Sequence, residues 1–411
     1  GVSGVMTDHL PDHLMATYGR LPVSFERGEG AWLWSDDGRR FLDALSGIAV
    51  CGLGHAHPGV REAICEQAAQ LVHVSNLYRI PAQETLGERL CAAAGMERVF
   101  FANSGAEANE AAIKLARLLA HGRGVQRPEI LVMENSFHGR TLATLTATGS
   151  RKAQAGFEPL VSGFVRVPYD DLGAVETAAG NRANIVAVLV ESIQGEGGIV
   201  MPSAGYLAGL RELCDRHGWL LMLDEVQSGM GRTGRLFAHQ HEGILPDVMT
   251  LAKGLGNGVP IGACLARGDA AGVLGPGSHG STFGGNPLAC RAALAVLDAL
   301  AADALPARAS ATGERIRTGL RDGLADLSGV VAVRGRGLMI GVELDRACGE
   351  LVATALDAGL LINVTAQRVV RLLPPLIIDD AQAEQIVGTV VHIVRDFLGA
   401  DDADAGHSPA A

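Results

Sequence analysis

At 411 residues the chain is longer than one small core requires, and its 48% hydrophobic and 19% charged residues fit a large globular domain with a smaller companion. No uninterrupted apolar run approaches the ~20 residues of a membrane-spanning helix. A net charge of −11 with no clustered basic runs argues against nucleic acid as the main partner, because phosphate contacts need concentrated positive surface. Small molecules are the expected partners.

Residues 1–5 ahead of Met6 read as an appended segment rather than a targeting signal. Residues 31–41 carry a hairpin pattern turning at Asp36, Asp37 and Gly38, followed by a Gly/His/Pro loop over residues 52–59. From about residue 97, short apolar runs alternate with helical patterns, as expected of a mostly parallel sheet covered on both faces. The expected strands cover residues 98–102, 130–134, 185–190, 220–224, 248–251 and 262–266. After residue 300 come amphipathic helices and further short strands, over 330–343 and 360–373. The expected division is a large domain over 60–300 and a smaller α+β domain from residues 6–59 and 301–400. Residues 401–411, rich in Asp, Ala and Gly, are expected to be a disordered tail.

Seven widely spaced cysteines without a CxxC pair suggest neither a disulfide framework nor a zinc site, and fit a reducing cytoplasm. His55, His57, His73, His138, His239 and His241 show no metal-ligand spacing on one helix, so no metal is expected.

In a parallel sheet, ligands bind beyond the carboxyl ends of the strands, so the polar residues ending the apolar runs are where chemistry is sought. After the run 98–102, Asn103-Ser104-Gly105-Ala106-Glu107 opens a helix extending to about Ala120, with Ser104 and Glu107 at capping-box spacing. Such a helix start offers free amides to a phosphate, although a capped helix can be purely structural. Phe137-His138-Gly139-Arg140 follows the next run. Phe137 could stack on a planar ring and Arg140 could clamp a carboxylate; alternatively Phe137 is core, His138 a loop histidine and Arg140 a solvated charge.

Asp224 ends the strongly apolar run 219–223 and precedes Glu225, Val226 and Gln227. A carboxylate there needs a cationic partner, which a protonated pyridine nitrogen supplies as well as an ordinary salt bridge does. Only three of the 34 basic residues are lysines, Lys114, Lys152 and Lys253. Lys253 alone leaves an apolar strand for a glycine-rich turn, a setting where desolvation frees the neutral amine. A phosphate cradle, an aromatic, a carboxylate and a lysine at the ends of one sheet point together to a Schiff-base lysine carrying pyridoxal phosphate.

From about residue 21 to residue 378 the chain resembles the class III aminotransferases of the fold-type I pyridoxal-phosphate superfamily. The resemblance rests on the ordered motifs NSGAEANE, FHGR, ESIQGEGG, LDEVQSGMGRTG, LAKGLGNGVPIGA, GSHGSTFGGNPLAC, RGRGLMIGVEL and RLLPPL. It implies that Ser104, Gly105 and Ala106 hold the phosphate, Phe137 stacks on the ring, Asp224 pairs with the pyridine nitrogen and Lys253 bonds to the cofactor. Glu225, Val226 and Gln227 are expected around the ring, with Gln227 on its hydroxyl. Thr282 is expected to reach the cofactor of a neighbouring subunit in a homodimer. For substrates, the resemblance implies that Arg140, with Ser281 nearby, binds the distant carboxylate of an ω-amine donor. Arg371 would bind the α-carboxylate of glutamate, and Glu196 would mask it in between; a permanent salt bridge is the plainer reading of that pair.

Within the class the acetylornithine aminotransferases of arginine biosynthesis are the most similar group. That similarity implies transfer of the terminal amine of N-acetylornithine to 2-oxoglutarate. Succinylornithine, N-succinyl-diaminopimelate and ornithine remain alternatives, as does an aminomutase of the same superfamily. Ile48 stands where the ornithine enzymes carry a tyrosine, which favours an acylated nitrogen. Ser192 and the pair Cys51-Gly52 depart from the usual proline and asparagine. The glycine clusters near Gly52, Gly195 and Gly284 lack the GxGxxG spacing of a dinucleotide fold.

Overall fold

The computed structural model describes residues 13–405, with side chains described through residue 399. Its centre is a seven-stranded sheet in the order Arg98–Ala102, Gly262–Ala266, Val248–Leu251, Leu220–Asp224, Ile185–Glu191, Glu129–Met133 and Phe164–Val167. Gly262–Ala266 runs antiparallel to both neighbours, and the remaining strands run parallel. Arg98–Ala102 therefore also ends at the shared carboxyl edge.

The sheet is covered on both faces, which is why its central strands are continuous apolar runs. Side chains alternate between the faces. Ile130, Val132, Leu189 and Met222 enter one cluster with Ala111, Ala112 and Leu115 of the helix Gly105–Gly122. Leu131, Met133, Val188, Val190, Leu221 and Leu223 enter another with Leu207, Leu210 and Leu213 of the helix Tyr206–His217.

The strand expectations differ from the structure at several strand ends, with Glu129 and Glu191 inside strands expected to begin at 130 and end at 190, and in one whole strand of the central sheet. Glu134 lies one residue past Glu129–Met133, because its charged side chain is exposed where the apolar run has ended. The edge strand Phe164–Val167 has no counterpart in the sequence reading. It is a short FVRV segment containing Arg166, and its mostly half-buried pattern gives little apolar periodicity.

Two further four-stranded sheets flank this centre. One joins Phe25–Glu29, Trp32–Ser35 and Arg40–Asp43 to Leu360–Leu361, with Leu42 opposite Leu360, so residues 318 positions apart in the chain share one ladder. The other contains Val330–Arg336, Met339–Leu344, Val369–Leu372 and Asn363–Thr365.

The final helix spans Asp380–Ala405. The tail expected to be disordered from residue 401 is thus helical through 405. Extending an established helix costs little, and residues 401–405 contain no glycine or proline. Residues 406–411, and residues 6–12 of the expected small domain, lie outside the described residues. Among the described residues no helix is long and apolar enough to cross a membrane.

Candidate active site

A cavity of about 460 Å³ opens at the carboxyl edge of the central sheet, within the range of small-molecule sites. Among the residues lining it are Ser104, Gly105, Ala106, Phe137, Arg140, Glu196, Asp224, Val226, Gln227 and Lys253. Residues from five separate sequence motifs are thereby gathered around one volume.

One wall is the start of the helix Gly105–Gly122. Ser104 caps it, its Oγ accepting from Glu107 N at 3.1 Å and donating to Glu107 Oε2 at 2.9 Å. The first amides of a helix have no carbonyl partner within it and carry the positive end of its dipole. A Cβ on Gly105 would lie 2.8 Å from Val226 Cγ1, so only glycine fits between the helix start and Val226. Phosphate is the anion such a cradle suits.

Deeper in the cavity stands Asp224, 5% exposed. Its Oδ2 accepts from His138 Nδ1 at 2.7 Å and from Asn109 Nδ2 at 2.9 Å, while Oδ1 accepts from Val226 N at 2.9 Å. Asn109 is itself fixed, its Oδ1 accepting from Thr250 Oγ1 at 2.7 Å and its Nδ2 donating to His138 O. The carboxylate is thus gripped by donors on three elements. His138 Nε2 is buried without a hydrogen-bond partner. His138 lies in the irregular segment after the strand Glu129–Met133, as its motif allowed, but it is buried against Asp224 rather than solvated.

Lys253 begins the 3-10 turn Lys253–Leu255 with φ at 43°, a left-handed conformation uncommon outside glycine and characteristic of functional sites. Burial pushes its ammonium below the usual range; the Glu196, Asp224 and Glu191 carboxylates oppose that shift, and Arg371 adds to it. Glu191, at the end of the strand beside Asp224, also lines the cavity. Its oxygens accept from Phe137 N and Gly195 N. Burial pushes this carboxyl well above its usual range, and the Asp224 charge pushes it further.

Behind Glu196 and Gln227, Arg371 is 1% exposed. Its Nη1 donates to Glu196 Oε1 at 2.8 Å and to Gln227 Oε1 at 3.4 Å, and its Nε donates to Asn363 Oδ1 at 3.0 Å. Arg140 is exposed at the cavity edge, its guanidinium carbon 5.9 Å from the centre of the Phe137 ring.

Three expected site residues stand elsewhere. Glu225 is fully buried but turned away: its carboxylate accepts from Ala238 N at 2.6 Å and His239 N at 2.9 Å. Burial lifts that carboxyl to about 7 against these hydrogen bonds. Its neighbour Asp224 faces the cavity, and successive side chains at a strand end point to opposite sides. The Glu225 side chain therefore lies outside the cavity wall. Ser281 lies outside the cavity wall, its Oγ accepting from Asn103 Nδ2 at 3.2 Å and Gly284 N at 2.9 Å. Thr282 is exposed beside it. On the opposite wall Val50 and Ile193 line the cavity, whereas Ile48 packs against the cluster of Ala49, Ile193, Ile199, Met339 and Leu373.

Sequence reasoning had not singled out Asn109, Glu191, Ile193 or Val50. Asn109 carried the clearest signal, as a polar residue amid Ala108, Ala111 and Ala112 on the buried face of its helix. Among the described residues no group of three or more His, Cys, Asp or Glu side chains is disposed to hold a metal ion.

A parallel-sheet enzyme with an anion cradle, a braced carboxylate and a desolvated lysine around one cavity is built for pyridoxal-phosphate chemistry. The family described as aminotransferase class-III matches residues 15–394, and the chain belongs to it. An acetylornithine aminotransferase of Nitrosomonas europaea is 59% identical, covering 94% of this chain and 98% of its own. A solved N-acetylornithine aminotransferase from Stenotrophomonas maltophilia superposes with a TM-score of 0.81 at 38% identity, over 92% of this chain and 97% of that one. An ornithine aminotransferase from Toxoplasma gondii, reported with partial occupancy of PLP at its active site, superposes with a TM-score of 0.90 at 36% identity, over 93% and 91%. The chain is an aminotransferase, and its cofactor is pyridoxal phosphate. The residues present fit that group, with the Ser104–Ala106 cradle for its phosphate, the Asp224 carboxylate for a cationic ring nitrogen and the Lys253 amine for its aldehyde carbon.

Proposed function

We propose that the enzyme transfers the terminal amine of N-acetylornithine to 2-oxoglutarate, giving N-acetylglutamate 5-semialdehyde and glutamate in arginine biosynthesis. The observation that carries this reading is the buried Arg371 paired with Glu196 at the cavity wall. A donor that reacts through its terminal amine has no carboxylate near the reacting carbon, whereas 2-oxoglutarate has one there. An arginine alternating between an internal carboxylate and a substrate carboxylate serves both. The similarity to acetylornithine aminotransferases over nearly the whole chain supports the choice of donor.

Bound pyridoxal phosphate supplies an electron sink for the carbanion that forms when the donor carbon loses its proton. Ser104, Gly105 and Ala106 would hold its phosphate, with Val226 and Phe137 beside its ring and Gln227 on its hydroxyl. Asp224 would keep the ring nitrogen protonated, its own orientation fixed by His138 and Asn109. Lys253 Nζ, its ammonium pushed below the usual range by burial, would take the proton from the donor's amine-bearing carbon and so act as the general base. Arg140 at the cavity edge would bind the donor's distant carboxylate. Arg371, released from Glu196, would bind the α-carboxylate of 2-oxoglutarate. Thr282, with Ser281 beside it, lies in an exposed loop suited to reaching a second subunit's phosphate, which supports a homodimer with shared sites. A cytoplasmic location fits seven free cysteines. A large domain over 60–300, with a smaller one from both chain ends, accords with the ladder that joins Leu42 to Leu360.

The test is a panel of acetylornithine, succinylornithine and ornithine with 2-oxoglutarate as acceptor. Acetylornithine is expected to show the highest kcat/KM, and faster turnover of free ornithine would overturn the assignment. In parallel, Lys253→Ala is expected to abolish turnover and the borohydride-reducible link to the cofactor; survival of that link would identify a different lysine.

A further inference from the structure

Ser46, Gly47, Ile48 and Ala49 have φ of 55°, 65°, 69° and 60°, a complete left-handed turn in which three of the four residues carry a Cβ. Such backbone is disfavoured for L-residues, most strongly for β-branched Ile48. It persists only where the surroundings over-determine it.

Asp43 holds the start of this turn, His55 holds Asp43, and Asn257 fixes the chain that follows it at Leu53 and Gly54. Asp43, 2% exposed, sits at the end of the strand Arg40–Asp43, and its Oδ1 accepts from Leu45 N at 3.0 Å and Ser46 N at 2.8 Å. Its Oδ2 lies 2.8 Å from His55 Nε2. His55 is anchored in turn through its backbone, paired in both directions with Gly30 of the hairpin. On the far side Asn257 Oδ1 accepts from Leu53 N at 3.0 Å, and its Nδ2 donates to Gly54 O at 3.1 Å. Asn257 belongs to the glycine-rich turn after Lys253. The braced segment therefore lies between the hairpin and the catalytic lysine's own turn. Ala49 packs against Ile193, Ile199 and Leu373, and the next residue, Val50, lines the cavity with Ile193.

We propose that Asp43, His55 and Asn257 are positioning residues: they lock the left-handed turn and the chain that leaves it, on either side of Val50, and so hold the apolar wall of Val50 and Ile193 against the body of the amine donor. None of the three lines the cavity, so their effect is exerted through the turn. The inference rests on the reading of the enzyme as a terminal-amine aminotransferase and deepens it by naming what fixes donor fit. A short dicarboxylate such as 2-oxoglutarate is held chiefly by its charged ends, so the brace matters more for the donor.

The two half-reactions are measured separately by stopped-flow on the holoenzymes of wild type, His55→Asn and Asn257→Ala. Both variants are expected to raise the apparent dissociation constant for acetylornithine by about tenfold, with the maximal rate and the 2-oxoglutarate half-reaction changed by less than about twofold. Equal weakening of both half-reactions, or unchanged donor affinity in both variants, would overturn the brace. If His55→Asn fails to fold, Asn257→Ala carries the affinity readout. If wild type prefers another amine donor, the assignment to acetylornithine fails while the brace is tested unchanged with that donor.

Discussion

Arg371 Nη1 lies 2.8 Å from Glu196 Oε1, with the arginine side chain 1% exposed and the glutamate 34%. The two halves of the pair are therefore unequal: the arginine is fixed in the protein by Asn363 and Gln227, and the glutamate is the half free to swing. A substrate carboxylate competes with Glu196 for a cation that is already in place.

This asymmetry gives opposite expectations for the two partners. Arg371→Ala is expected to weaken the 2-oxoglutarate half-reaction by on the order of 10²-fold, because truncating one side of a buried charge pair costs about 2–5 kcal/mol. The acetylornithine half-reaction should change far less. Glu196→Gln should leave 2-oxoglutarate binding intact or improved, while admitting α-amino donors that the paired arginine excludes. Pre-steady-state measurement of each half-reaction checks this, and equal damage from Arg371→Ala would discredit an exchanging pair.

His138 offers a test of the carboxylate's support. His138→Ala removes the 2.7 Å donor to Asp224 Oδ2, and a hydrogen bond to a charged group is worth about 1.5–3 kcal/mol. The expected loss in kcat/KM is about 10- to 100-fold, with a shift in the visible pH titration of the bound cofactor. His138→Asn, which can place an amide donor near the same oxygen, should recover part of both. An unaltered titration in the alanine variant would reduce His138 to packing.

The strand ends were legible in the sequence because an apolar run followed by a polar residue is a local signal, and it located Ser104, Phe137, Asp224 and Lys253 on one edge. The grip on Asp224 was not legible. Asn109 and His138 reach the carboxylate from separate elements, with Thr250 holding Asn109, and one sequence does not give the register that brings them together. Glu225 was expected around the ring by its adjacency to Asp224, although alternation at a strand end turns neighbouring side chains to opposite sides. The wall at Val50 was hidden for another reason: residues 46–49 are left-handed, so neither helical nor strand periodicity reports which side chain faces inward.

The His55–Asp43 pair makes stability depend on alkaline pH. Burial alone would depress the His55 imidazolium, but the hydrogen bond to Asp43, assisted by Cys51, overcomes it and lifts the group to about 9. A histidine raised above its unfolded value of about 6.5 contributes stability fully below that pH, and the contribution is lost as pH rises through about 9. The difference corresponds to on the order of 3 kcal/mol. Denaturant unfolding of wild type should therefore show a decline between pH 7 and 10 that is diminished in His55→Asn. Parallel curves for the two proteins over that range would remove the pair from the pH response.

Gly262 tests whether the phosphate cradle depends on the strand behind it. A Cβ there would lie 2.2 Å from Ser104 O, and Gly262 faces Ala102 across the antiparallel ladder, so neither backbone can retreat without breaking pairing. Gly262→Ala is expected to cost about 1–3 kcal/mol of stability through overpacking, and to displace Ser104 and the first turn of the helix Gly105–Gly122. Cofactor loss on dialysis should accelerate in this variant, because the amides at that helix start would no longer converge on one point. Gly388 provides the contrast: it is exposed within the helix Asp380–Ala405, with open space where a Cβ would stand. Gly388→Ala should stabilise the protein by about 0.5–1 kcal/mol and leave cofactor retention unchanged. Retention lost equally in both variants would show that it follows global stability rather than the geometry of the cradle.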